Sequence, residues 1–110
     1  MGQVYSVNEI KEKLLPIFDQ IPVEKAILFG SYAKGTQRRL SDVDIVIDSK
    51  GKIKGIDFFG VLEDITEALN ISVDLIETSQ IVEGSRAQRE IMETGIVIYE
   101  RKRKNHSWKN

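Results

Sequence analysis

Apolar residues recur along this chain in two rhythms that divide it into alternating elements. Val7, Ile10, Leu14, Phe18 and Ile21 fall at helical spacing behind Ser6 and Glu9, a capping-box pair, and predict a helix over about 7–20. Pro16 lies inside it and is expected to bend or shorten it, with Pro22 helping to end it. Residues 25–29 form a short apolar run stopped by Gly30, the pattern of a buried strand. A short helix or turn is expected from Ser31 to Gly35, then a polar loop, then a strand over 42–48 with Val43, Ile45 and Ile47 on one face. After a glycine- and lysine-rich loop, Phe58, Leu62, Ile65 and Leu69 mark an amphipathic helix over about 57–70, with Phe58, Phe59, Leu62 and Ile65 assigned to core or interface. A strand over 72–77, a helix over 85–94 closed by Gly95 in a left-handed cap, and a strand over 96–99 complete the order.

That alternation predicts an α/β (α+β) domain, a small mixed sheet of about four strands flanked by helices. The domain is placed at 1–100, with 101–110 a basic polar tail. A chain of 110 residues has room for one core and no second lobe. The net charge of −1 argues against a broad basic surface for nucleic acid. No apolar run reaches membrane-spanning length and no signal peptide is visible, so a cytoplasmic location is expected. There is no cysteine and one histidine, His106. Thiolate chemistry and multi-histidine metal sites are excluded, which leaves carboxylates, hydroxyls, Lys, Arg and Tyr.

The carboxylates are where the pattern carries chemistry. Asp42 and Asp44 are two apart on one predicted strand and leave it on the same face, away from Val43, Ile45 and Ile47. Asp74 interrupts the apolar strand Val73 to Ile76 with the same parity. If those two strands pair, the three carboxylates converge, an arrangement that suits hard divalent cations and metal-assisted phosphoryl transfer. Asp74 is the natural acceptor for the proton of an attacking hydroxyl. The competing readings are a solvated strand start for Asp42 and Asp44 and an edge-strand residue for Asp74; Asp48 is assigned to strand-end solvation. Gly30, directly after a strand, permits close backbone approach, and Ser31 at a helix start offers a hydroxyl and free N–H groups to phosphates. Lys34 and the Arg38-Arg39 pair add positive charge nearby.

Gly30-Ser31-Tyr32-Ala33-Lys34-Gly35 followed by Ser41-Asp42-Val43-Asp44 resembles the signature of the polymerase β-type nucleotidyltransferase superfamily, with Asp74 matching its third carboxylate. The stretch from Arg86-Ala87 to Glu100 resembles the end of its minimal members, antitoxins of HEPN-type ribonuclease toxins. Lys34 stands where arginine is commoner, which keeps the charge and loses the bidentate fork. The resemblance implies transfer of AMP from ATP, with magnesium or manganese, to a hydroxyl of a HEPN-domain partner, often a tyrosine. Asp42, Asp44 and Asp74 would be catalytic and metal-binding residues, and Gly30, Ser31 and Lys34 nucleotide-binding ones. With no lobe to cover base and sugar, a partner or a second copy is expected to finish the site. The alternative is a non-catalytic antitoxin that silences its partner by binding. A third, transfer to an antibiotic or other small molecule, is disfavoured because superfamily members that do this carry an acceptor domain.

Overall fold

The computed structural model describes residues 5–38 and 41–102. Helix α1 (Val7–Asp19) opens with both halves of the capping box: Ser6 Oγ accepts the Glu9 N–H at 3.1 Å and Glu9 Oε1 accepts the Ser6 N–H at 2.7 Å. Its apolar stripe, Ile10, Leu14 and Phe18, is buried, at about 1.5–3 kcal/mol for each side chain removed from water. Pro16 does not shorten it. The proline sits in the last turn, where its missing N–H leaves only the carbonyl of exposed Glu12 unserved, and the helix runs on to Asp19.

Four strands follow: β1 (Lys25–Phe29), β2 (Val43–Asp48), β3 (Val73–Glu77) and β4 (Ile96–Glu100), in the sheet order β3-β2-β1-β4. The pairs β1–β2 and β1–β4 are antiparallel, and β2–β3 is parallel. A parallel pair needs a crossover, and α3 (Ile56–Leu69) supplies it. One sheet face, with Ala26, Leu28, Val43, Ile45, Ile47, Leu75 and Ile98, packs against α1 and α3 around Phe18, Val61, Ile65 and Leu69. Tyr5 ties the two helices' ends together by donating its hydroxyl to the Leu69 carbonyl at 2.6 Å. The other face carries Ile27, Phe29, Asp44, Val46 and Asp74, and α4 (Arg86–Thr94) lies against β1 there.

Two polar links fix the ends of the sheet. Buried Glu77 accepts the Ser49 N–H at 2.8 Å, the Ser49 hydroxyl at 2.6 Å and the Ser79 N–H at 2.9 Å, joining the exits of β2 and β3. Burial alone would raise its pKa, but these donors outweigh it and hold the carboxyl at about 2. Arg101, assigned to the tail by its sequence, belongs to the folded body: its guanidinium donates to the carbonyls of Phe18, Ile21 and Val23 at 2.9, 2.7 and 3.1 Å. The rest of the tail from residue 103, and Arg39, lie outside the described residues.

Gly95 departs from expectation. Its φ of −60° and ψ of 134° are extended, not left-handed. The glycine is there for room: a Cβ would run into the Ile91 carbonyl and stand 3.0 Å from Ile27 Cγ2.

Candidate active site

Gly30 makes the corner between β1 and the single turn α2 (Ser31–Lys34), with φ 77° and ψ −151°. L side chains avoid that region. Its N–H donates to Thr94 Oγ1 at 3.0 Å, and the same hydroxyl donates to the Glu90 carbonyl at 2.6 Å, so the corner is anchored to α4. Gly35, at φ 76°, closes the turn. A helix of four residues carries little dipole, so what this corner can offer an anion is individual N–H groups, the Ser31 hydroxyl and Lys34. Ser41 shapes the following loop: its Oγ accepts the Arg38 N–H at 2.8 Å and its own N–H donates to the Arg38 carbonyl at 2.9 Å.

Asp44 lies on β2 opposite Phe29 of β1 and, in the parallel register, directly beside Asp74 of β3. Asp42 sits one residue before β2 begins, exposed, as Asp74 is. Asp48, at the far end of β2, accepts the Lys50 N–H at 3.1 Å, a strand-end role. The Asp44 carboxylate faces the corner so closely that a Cβ on Gly30 would overlap its Oδ2. Its pKa is pushed up to about 6, first by burial and then by the negative charges of Asp74, Glu90 and Asp42, with Arg86 opposing.

Gly30, Ser31, Lys34, Asp42 and Asp44 line one open cleft of about 300 Å³, together with Ser41, Arg86 and Glu90. Asp74 adjoins it through Asp44 rather than lining it. Among the described residues, no three carboxylates or histidines are gathered tightly enough to hold a metal ion as they stand. The donor chemistry nonetheless suits one: hard oxygen donors, and an excess of negative charge around half-buried Asp44 that a cation would relieve. Larger apolar hollows flank α3, where Ile56 is 84% and Phe59 67% exposed, but they hold none of these residues.

Sequence reasoning missed the wall built by α4. Arg86, Glu90 and Thr94 repeat every four residues and form a polar stripe on the helix side turned to the corner. Its signal in the sequence is a polar periodicity of four, Arg86, Glu90 and Thr94, which on a helix ordinarily marks the solvent side.

A glycine-serine corner leaving a central strand, with carboxylates on the next two strands of a mixed sheet, defines a nucleotide-transferring α/β domain. The chain belongs to the family described as Polymerase beta, Nucleotidyltransferase, whose model matches residues 12–104. It is 33% identical over 76 residues to a Methanocaldococcus jannaschii protein named Putative protein adenylyltransferase MJ0435, covering 69% of this chain and 82% of that one. It is 38% identical over 60 residues to Protein adenylyltransferase MntA of Shewanella oneidensis, covering 54% of this chain and 43% of that protein, so the match spans less than half of MntA. A crystal structure of a toxin–antitoxin with AMP-PNP superposes with a TM-score of 0.67 at 26% identity, over 88% of this chain and 75% of that one. Among the described residues, no helix is long and apolar enough to cross a membrane.

Proposed function

We propose that this domain transfers AMP from ATP to a hydroxyl on a partner protein, and that the partner is a HEPN-type ribonuclease toxin which the modification silences. The observation that carries the reading is the register of Asp44 beside Asp74, with Asp44 facing the Gly30-Ser31 corner. The relatives named as protein adenylyltransferases and the toxin–antitoxin solved with AMP-PNP support it.

In this reading Gly30, Ser31 and Lys34 hold the phosphates of the donor. Asp42, Asp44 and Asp74 would hold magnesium or manganese, which supplies Lewis-acid polarisation of the phosphoryl oxygens. The acceptor hydroxyl oxygen forms a bond to the α-phosphorus, the bond from that phosphorus to the bridging oxygen breaks, and pyrophosphate leaves. Asp74 takes the hydroxyl proton. The cleft is open and small, so the acceptor protein, or a second copy of the chain, closes it over base and sugar.

The test is incubation with ATP labelled on its α-phosphate, magnesium and a HEPN-type ribonuclease, if one is encoded beside this chain. Label on the partner is expected, and none with Asp44→Asn. If no label appears, or if Asp42→Asn with Asp44→Asn still neutralises the ribonuclease, the chain is a binding module instead.

A further inference from the structure

We propose that Arg86 is a phosphate-binding residue for the nucleotide donor, and that Glu90 holds it in reserve until the donor arrives. The inference rests on the transfer reading above and adds a second wall to the phosphate site.

Three observations support it. The α4 stripe is pinned in place, because Thr94 accepts the Gly30 N–H at 3.0 Å and so fixes which side of the helix meets the cleft. Glu90 and Arg86 stand one and two turns up from Thr94 on that side, and both line the cleft with Ser31 and Lys34. The charge balance is also uneven. Asp42, Asp44 and Glu90 line the cleft against Lys34 and Arg86, and Asp74 lies beside Asp44. A triphosphate adds several further negative charges, and Lys34 offers only a point charge to meet them.

Arg86 has the geometry to help. It touches Glu90 through Nε, at 3.3 Å, which leaves both Nη groups outside that contact. Those groups form the fork that fits two phosphate oxygens. Its side chain is 85% exposed and that of Glu90 30%, so the pair is a surface i,i+4 bridge of the weak kind and is readily exchanged for a stronger anion. Glu90 therefore competes with phosphate for one guanidinium, and it keeps that guanidinium at the cleft's rim when no donor is bound.

The experiment is calorimetric titration of the full chain with AMP-PNP and magnesium. Arg86→Ala should bind about tenfold more weakly, one charge-assisted contact's worth. Arg86→Lys should recover part of the loss. Glu90→Gln should bind about threefold more tightly, since one 3.3 Å competitor is gone. That gain should vanish in the Arg86→Ala background, which distinguishes competition for Arg86 from simple repulsion of phosphate by Glu90. Circular dichroism checks that each variant folds. If the wild type binds AMP-PNP and Arg86→Ala binds it equally well, the proposal is overturned while the transfer reading stands. If the Glu90→Gln gain persists without Arg86, the reserve role is overturned. If the wild type fails to bind AMP-PNP, both readings fall.

Discussion

The carboxylate of Asp44 occupies the space that a side chain on Gly30 would need, so one residue on β2 dictates the absence of a side chain at the end of β1. Gly30→Ala meets two obstacles at once, the overlap with Asp44 and a φ of 77°. The corner must move, and with it the Ser31 hydroxyl. The expected outcome is a loss of stability of about 1–3 kcal/mol. Transfer should fall by about a hundredfold, since a small misplacement of reacting groups suffices for that. Thermal denaturation and label transfer, measured on the same preparation, check both.

Asp44→Asn should abolish transfer yet stabilise the metal-free protein. A carboxyl whose pKa rises from 3.8 to about 6 on folding binds its proton better in the fold than in the unfolded chain. Ionisation therefore weakens the fold: the penalty is absent below about pH 4, grows between there and pH 6, and is complete above. The asparagine variant escapes it, by on the order of 2 kcal/mol above pH 6. Melting curves in chelator should show the variant several degrees higher at pH 7.5 and level with the wild type near pH 3.5. An equal or lower melting temperature at pH 7.5 would contradict the charge crowding around Asp44.

Glu77 has the opposite sign. Its pKa falls from 4.5 to about 2 on folding, so its stabilising effect is present above pH 4.5 and is lost as pH drops toward 2. Glu77→Gln should destabilise the fold by about 2–3 kcal/mol at neutral pH. The gap between variant and wild type should close in acid. Denaturant titrations at pH 7 and pH 3 measure it; a constant gap would mean that packing, not the Ser49 and Ser79 donors, sets the cost.

Gly95→Ala should cost about 1–3 kcal/mol, because the new methyl meets the Ile91 carbonyl and Ile27 rather than open space. Since the displaced end of α4 carries Thr94, which holds the Gly30 N–H, transfer should fall as well. A stable variant with full activity would show that the contact relaxes without cost.

The elements were legible because their signals are local. The capping box of Ser6 and Glu9, the run from Val7 to Ile21 and the parity of Val43, Ile45 and Ile47 against Asp44 each lie within one segment. The parity of Asp74 was legible too, but its position beside Asp44 depends on which strand β3 pairs with, and no short window carries that. Gly95 shows a second limit. A glycine ending a helix for the sake of φ and one ending it for lack of room look the same in sequence, and only the nearness of Ile27 separates them. Phe59 shows a third: a sequence does not separate core from interface, and its 67% exposure on the folded chain rules out core. Arg86 and Glu90 were hidden because a polar stripe on a helix is the ordinary mark of solvent, and the cleft exists only once α4 lies beside β1.

The crossover through α3 sets a schedule as well as a shape. A chain leaving the ribosome presents the Gly30-Ser31 corner and Asp44 first, and Asp74 only after all of α3 has emerged. The parallel pair β2–β3 is a non-local contact, and such contacts form only after the loop between them has been closed. Until then Asp44 lacks the strand that sets Asp74 beside it. The sheet is finished later still, by β4, and the Gly30 corner gains its Thr94 anchor only once α4 has emerged.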